Sequence, residues 1–273
     1  MAHLLTVGNW LLPLLYLALM IDYGATFFLR TRTQTRSPWL WVVIAMHLAL
    51  MVVRTVHVGQ LPLADPQGVL SAVALAMALV YAVVEFAGRD RRTGVFVIAL
   101  AFLFQYTSSI LLAGNLTPPA AMEGAALIRS RLHIVPALVA YTALAFSAVY
   151  GVLYLVDRHD LRHRRFGVFF ERLPPLDLLG TMTWHALLTG FVFMTLTILT
   201  GPMLFGSGEG AAQAALANPK ILLKIITGGA AWIIYAIAVA GRLLGKWSPA
   251  RTAGIAVAGY VVVMALLVAS ALL

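Results

Sequence analysis

The chain has 273 residues, of which 62% are hydrophobic and 11% are charged, with a formal net charge of +9 and a mean hydropathy of +0.92. A water-soluble domain of this length cannot bury so much apolar surface, so the composition predicts an integral membrane protein. The apolar runs are continuous rather than alternating with a period of two, which favours spanning helices over a β-barrel. The sequence contains no cysteine, which excludes a disulfide framework and a thiolate metal site.

Apolar segments near the length needed to cross a bilayer recur along the whole chain, and the fold class is therefore predicted to be all-α and polytopic. Proline-containing breaks separate them, and the first segment is too long and too apolar for a cleaved signal sequence. Residues 1–273 are expected to form a single helical domain. The eight predicted membrane spans are about 5–28, 38–58, 66–87, 93–113, 133–156, 180–204, 220–245 and 248–272.

Most of the 19 lysines and arginines lie in alternate connections, after the first, third, fifth and seventh spans. Because positive residues are retained on the cytoplasmic side, both termini are predicted to face outward. The net positive charge is then explained by topology and by attraction to anionic lipid, which argues against nucleic acid as a partner. These basic residues are Arg30, Arg32, Arg36, Arg89, Arg91, Arg92, Arg158, Arg162, Arg164, Arg165, Arg172, Arg242, Lys246 and Arg251.

Acidic residues are predicted only in connections or near the ends of spans, where Asp22 and Glu85 lie. A carboxylate in the middle of a membrane usually relays protons or binds ions, so this pattern argues against a proton-coupled transporter. Histidines are the polar groups that remain. His47 is placed near the middle of the second span, His57 at its outer end, His133 at the outer start of the fifth span and His185 inside the sixth.

A neutral imidazole is a good ligand of haem iron, and this ligation tolerates a low dielectric. His47 and His57 lie about 15 Å apart along one helix and cannot share an iron. His57 and His133 share a depth at the outer surface, whereas His47 and His185 differ in depth by about 6 Å and would pair only through helix tilt. Composition leaves the alternative open that each ring contacts a lipid headgroup or a neighbouring polar group.

The second half of the chain carries four characteristic blocks, which fall mostly within 132–260. They are LHIVPALVAYTALAFSAVYGVLYLV (132–156), LPPLDLLGTMTWHALLTGFVFMTLTILTGPM (173–203), NPKILLKIITGGAAWIIYAIAVAGR (218–242) and GKWSPARTAGIAVAGY (245–260). These blocks resemble the cytochrome c assembly protein family, which includes CcsA/ResC haem-handling proteins and their HemX-like and YpjD-like relatives. A weaker resemblance covers residues 59–85.

The resemblance implies that His133 is an external haem ligand. The chain departs from CcsA proteins in its external loop, FGSGEGAAQAALANPK (205–220), which has no tryptophan to stack on a porphyrin. A histidine expected just before Arg242 is also missing, and the second external histidine has no counterpart in the last span. These departures place the chain closest to the HemX-like or YpjD-like branch.

The leading prediction is therefore a protein of the bacterial cytoplasmic membrane that binds or handles haem b at its outer face. His133 and His57 are the expected axial ligands, with His47 and His185 as candidates for a deeper haem. Arginine side chains could neutralise the haem propionates, and headgroup contact is the alternative role for them. The candidate arginines are Arg129, Arg131 and Arg54.

Two alternatives come from other classes of protein. Small residues in the last two spans would suit a non-catalytic membrane subunit or assembly factor without haem, working with other cytochrome c biogenesis or respiratory membrane proteins. Prolines inside spans, Pro13 and Pro136, give weaker support to a small-solute transporter. No catalytic motif is present, so an enzyme is not expected. The small-residue stretches are 228–232, 238–241, 253–259 and 269–271.

Overall fold

The structure is a computed structural model, and it describes residues 2–29, 37–59, 61–63, 65–114, 124–164, 166–205, 213 and 217–272. Within these residues the regular secondary structure is helical, without a strand. The α-helices are α1 (Ala2–Leu29), α2 (Pro38–Val58), α3 (Pro66–Gly88), α4 (Gly94–Gly114), α5 (Gly124–Arg162), α6 (Val168–Arg172), α7 (Leu176–Thr200), α8 (Pro219–Leu243) and α9 (Pro249–Leu272), and a 3₁₀ turn covers Gly201–Phe205.

The long helices correspond one to one with the eight predicted spans, and the prediction of an all-α polytopic membrane protein is confirmed. Among the described residues, seven helices are long and apolar enough to cross a membrane, and α9 adds an apolar stretch over Pro249–Ala265. The fifth helix extends beyond the predicted span of 133–156, because α5 begins at Gly124 and contains Pro136 in its interior. His133 therefore lies more than two turns inside a helix. The outward orientation of the termini stays a prediction.

The chain folds into two compact units. Unit 1 comprises Met1–Ala121 with Glu171–Pro174, and unit 2 comprises Met122–Phe170 with Pro175–Leu273. Unit 1 therefore holds α1 to α4, and unit 2 holds α5 and α7 to α9. The prediction of one helical domain over the whole chain stays a prediction.

In unit 1, α1 packs against α2 and α4, and α3 packs against α4 and α2. Asp65 fixes the start of α3, because its Oδ1 accepts a hydrogen bond from the backbone N of Gly68 at 2.6 Å. The other carboxylate oxygen, Oδ2, is 2.9 Å from Nη2 of Arg54, which comes from the last turns of α2. This ion pair ties the end of one helix to the beginning of the next.

The acidic residues near the opposite ends of these helices have partners inside unit 1: Glu85 is buried and Asp22 is half-buried. Glu85 is only 3% exposed and accepts hydrogen bonds from the Tyr23 hydroxyl and the backbone N of Ser37. Asp22 forms an ion pair with Arg91 at 2.6 Å, and the Arg91 guanidinium lies 4.6 Å from the centre of the Tyr23 ring. Asp22 is thus paired with a positive charge and Glu85 with two hydrogen-bond donors, as burial of polar groups requires.

Part of the connection between α5 and α7 also belongs to unit 1. Arg172 donates a hydrogen bond to the carbonyl oxygen of Phe27, close to the end of α1, where carbonyls lack partners within the helix. Arg92 donates through Nη1 to the carbonyl oxygen of Leu173 at 3.3 Å, and the Leu173 side chain is buried. The segment Glu171–Pro174 is thus held by polar contacts near the end of α1 and just before the start of α4.

In unit 2, α5 and α7 run antiparallel in close contact. Gly180 faces Tyr154, Gly190 faces Leu144 and Gly201 faces His133, so residue numbers rise on α7 as they fall on α5. A Cβ atom placed at Gly190 would lie 2.6 Å from the Leu144 side chain, which explains why a residue without a side chain stands there. The close approach of these glycines to the facing helix therefore fixes the register of the pair.

The last two helices of unit 2 also approach closely, and glycine substitutions test this contact. A Cβ at Gly259 would lie 2.9 Å from Cγ2 of Ile234 and 3.3 Å from Cζ of Tyr235, whereas one at Gly254 would meet no atom within 4 Å. We expect Gly259→Ala to lower the free energy of unfolding by about 1–2 kcal/mol through overpacking. Gly254→Ala, on the same helix, should be neutral or stabilising by up to about 1 kcal/mol.

Thermal unfolding of both variants in detergent measures this difference. Equal melting temperatures for the two variants would contradict the close contact of α8 with α9.

Candidate functional site

The ring of His133 is held by the end of α7. His133 is half-buried, and its Nδ1 lies 3.0 Å from the carbonyl oxygen of Thr197. A carbonyl oxygen only accepts, so Nδ1 must carry the proton and donate it. In the neutral ring Nε2 is then left with a free lone pair. The contact with Thr197 thereby assigns the tautomer and identifies the nitrogen that is free to bind a metal.

The end of α7 surrounds the contact with His133. The helix ends at Thr200, and the chain continues into the 3₁₀ turn that begins at Gly201. The Thr197 carbonyl oxygen also accepts the backbone N–H of Gly201 and, at 3.1 Å, the Thr200 hydroxyl. A Cβ atom at Gly201 would lie 3.7 Å from Cε1 of His133, in ordinary contact, so glycine leaves that part of the ring uncovered.

This arrangement has the features of a histidine that ligates a metal. Such histidines usually donate their second ring N–H to a backbone carbonyl or carboxylate, which fixes the ring and raises its basicity. Here the backbone carbonyl of Thr197 fills that role, and no described residue forms a hydrogen bond with Nε2. The residues around His133 therefore fit an axial ligand of haem iron. Among the described residues, no group of three or more His, Asp or Glu side chains forms a metal site of another kind.

His47 has a different environment, in the interior of unit 1. It is 1% exposed, its Nδ1 lies 2.9 Å from the Tyr16 hydroxyl and its Nε2 lies 2.9 Å from Oγ of Ser71. Ser71 donates its own proton to Oε1 of Gln105 at 2.8 Å. Its Oγ must therefore accept from Nε2–H of His47, and Nδ1 accepts from Tyr16. Gln105 extends this series of hydrogen bonds, because its Nε2 donates to Oγ of Ser109 at 3.2 Å.

Both ring nitrogens of His47 are therefore occupied by hydrogen bonds to α1 and α3. A haem iron at His47 would have to replace one of these bonds. Its predicted partner, His185, is an exposed residue of α7 in unit 2. His185 is also about 18 Å along α7 from Thr197, so it cannot share an iron with His133. The deeper haem stays a prediction, and the contacts of His47 give this ring a structural role.

His57 is exposed in the last turn of α2 and belongs to unit 1, whereas His133 belongs to unit 2. Within the part of the chain that the structure describes, the His57 ring has no hydrogen-bond partner. Its pairing with His133 around one iron stays a prediction.

The three candidate arginines differ in their surroundings. Arg54 forms an ion pair with Asp65, and both side chains are largely buried. Arg131 is exposed. Arg129 is half-buried, and its Nε is a buried atom without a hydrogen-bond partner among the described residues. The structure thus separates Arg54, which is paired with Asp65, from two arginines without a partner in the described part of the chain.

The sequence indicated His133 and His47 as candidate ligands, but it did not indicate the groups that contact their rings. Thr197 acts through its backbone, and its side chain gives no signal. Ser71 and Gln105 were visible as isolated polar residues inside apolar spans, a pattern that indicates buried hydrogen bonding. That pattern, taken together with His47, would have predicted a polar network.

The family model of the cytochrome C assembly protein matches residues 63–273. The chain belongs to the cytochrome c assembly protein family. Among curated proteins and among solved structures, none matches the chain. Membership in this family supports a role in cytochrome c biogenesis for a multi-pass membrane protein.

Some of the candidate residues lie inside the matched region and others lie outside it. The cytochrome c assembly region begins before α3 and includes His133, His185 and Arg129. It is longer than the four blocks within 132–260 on which the resemblance was based. Helices α1 and α2, which carry His47, His57 and Arg54, precede it. The HemX-like or YpjD-like branch stays a prediction.

Proposed function

We propose that this cytochrome c assembly protein binds haem b at the outer face of a bacterial cytoplasmic membrane, with Nε2 of His133 as one axial ligand. The observation that carries the proposal is the hydrogen bond from Nδ1 of His133 to the Thr197 carbonyl, which leaves Nε2 free. The family role in cytochrome c biogenesis supports haem as the ligand. His57 is the proposed second ligand, because its ring is exposed at the end of α2.

The protein's own residues would hold and orient the group. Thr197 fixes the plane and tautomer of the His133 ring, and Gly201 leaves the adjacent space without a side chain. Bound haem supplies a redox-active iron, whose potential depends on its axial ligands. Other cytochrome c biogenesis or respiratory membrane proteins are the proposed partners for haem delivered to or taken from this site.

The test is a spectrum of the full chain. The protein should be expressed with haem supplied, purified in detergent and measured in oxidised and reduced forms. We expect a Soret band and a reduced α band at about one haem per chain, with bis-histidine features that His57→Ala weakens. A folded protein that stays colourless after haem titration would contradict the proposal.

A second candidate is a non-catalytic membrane subunit without haem. It is favoured by the small-residue stretch 228–232 of α8, where a Cβ at Gly228 or Gly229 would meet no atom within 4 Å. Small residues beside space that no described atom of this chain occupies suit packing against another helix in the membrane. Purification of a stoichiometric partner together with a colourless chain would favour this function over haem binding.

A further inference from the structure

We propose that Arg129 forms a charge-assisted hydrogen bond with a carboxylate of the ligand bound at His133. This inference rests on the proposed function, and for haem the carboxylate is a propionate. It assigns the contact to one of the three candidate arginines.

The first argument is the position of Arg129 on α5. Arg129 and His133 are four residues apart in one helix, so they share a face with Cβ atoms about 6 Å apart. Side chains of a helix also tilt towards its N-terminus, which directs the His133 side chain towards the turn that carries Arg129. A ligand held at Nε2 of His133 therefore lies within reach of the Arg129 guanidinium.

The second argument is that Arg129 has no partner among the residues that the structure describes. Its Nε is buried without a hydrogen bond, and no ion pair joins it to an acidic residue in the described ranges. A buried donor without a partner is costly, and a carboxylate satisfies it well because guanidinium binds carboxylates through two parallel N–H groups.

The other two arginines do not meet these conditions. Arg54 is already neutralised by Asp65 at 2.9 Å. Arg131 is exposed and lies only two residues from His133, which places it about 200° around the helix from that side chain. Arg131 therefore serves as a matched control that has the same charge on the same helix.

The experiment compares the binding of haem with that of haem dimethyl ester, in which both propionates are neutral. Soret titrations of the full chain in detergent give a dissociation constant for each porphyrin. The ratio of the two constants is compared between variants, because the different solubilities of the porphyrins affect every variant equally. We expect Arg129→Gln to reduce the preference for free-acid haem about tenfold or more, because one charge-assisted hydrogen bond is lost. Arg131→Gln should leave the ratio at the wild-type value, and Arg129→Lys should keep part of the preference.

The two proposals fail in different ways. If wild type and Arg129→Gln bind haem with the same ratio, or if Arg131→Gln loses the preference instead, the role of Arg129 is overturned and haem binding stands. If neither porphyrin binds the folded wild-type chain, the proposed function itself fails. Thermal unfolding of each variant, measured without porphyrin, establishes that the compared chains are folded.

Discussion

Replacement of His133 by alanine is expected to abolish stable haem binding while leaving the helical fold intact. The substitution removes the only atom of this residue that can ligate iron, Nε2, and an iron–imidazole bond contributes enough that its loss should weaken binding by about 100-fold or more. The fold should survive, because the half-buried ring makes a single hydrogen bond to the end of α7. Pigment content per chain and the circular dichroism spectrum measure the two expectations separately.

His185→Ala is the matched control for this prediction. His185 is also in unit 2, but its exposed ring lies far along α7 from the His133 contact. Its removal should leave the pigment and its spectrum unchanged. An unaltered Soret band in His133→Ala would refute the ligand assignment, and loss of pigment in His185→Ala alone would move the site to α7.

Replacement of His47 by leucine should have the largest effect on stability, and we expect it to lower the free energy of unfolding by about 3 kcal/mol. Leucine has a similar volume, so the loss comes mainly from polar groups. The hydroxyl of Tyr16 loses its 2.9 Å acceptor and keeps only the longer contact to the Ala74 carbonyl oxygen at 3.4 Å. Oγ of Ser71 loses its 2.9 Å donor, although it still donates to Gln105. Loss of one partner of a buried hydrogen bond costs about 1–3 kcal/mol, and two such bonds are lost here.

Denaturant or thermal unfolding in detergent provides the measurement for His47→Leu. His57→Leu, at an exposed position of the same helix, should change stability by less than about 0.5 kcal/mol. The double variant His47→Leu with Ser71→Ala should lose less stability than the sum of the two single losses, because both residues belong to one network. A His47→Leu chain of normal stability that lacks pigment would show that His47 ligates haem.

The helices could be predicted because a bilayer sets both their length and their composition. The apolar runs and the breaks at Ser37–Pro38 and Asp65–Pro66 placed α2 and α3 to within a residue or two. The start of α5 could not be placed in this way. The apolar run of the fifth span begins near residue 133, after Arg129 and Arg131, whereas the helix itself begins at Gly124 and continues through Pro136.

The candidate site was only partly predictable for a related reason. Resemblance to a family identified His133, but its contact with Thr197 is a backbone contact that depends on the register of α5 against α7. Apolar spacing placed His47 in mid-membrane without indicating its partners. A buried imidazole can bind iron or form hydrogen bonds with two hydroxyl groups. Which partner it has depends on how α1, α3 and α4 bring Tyr16, Ser71 and Gln105 together.

The segment Glu171–Pro174 affects how this protein can be divided experimentally. The polypeptide passes from unit 1 to unit 2, returns to unit 1 for four residues and leaves again. A fragment that starts at α5 would contain Arg172 and Leu173 but would lack their partners. Arg172 would lose the carbonyl oxygen of Phe27, and the Leu173 carbonyl would lose the guanidinium of Arg92. Co-expression of two fragments cut between α4 and α5 would retain those bonds, and each fragment can then be varied by itself.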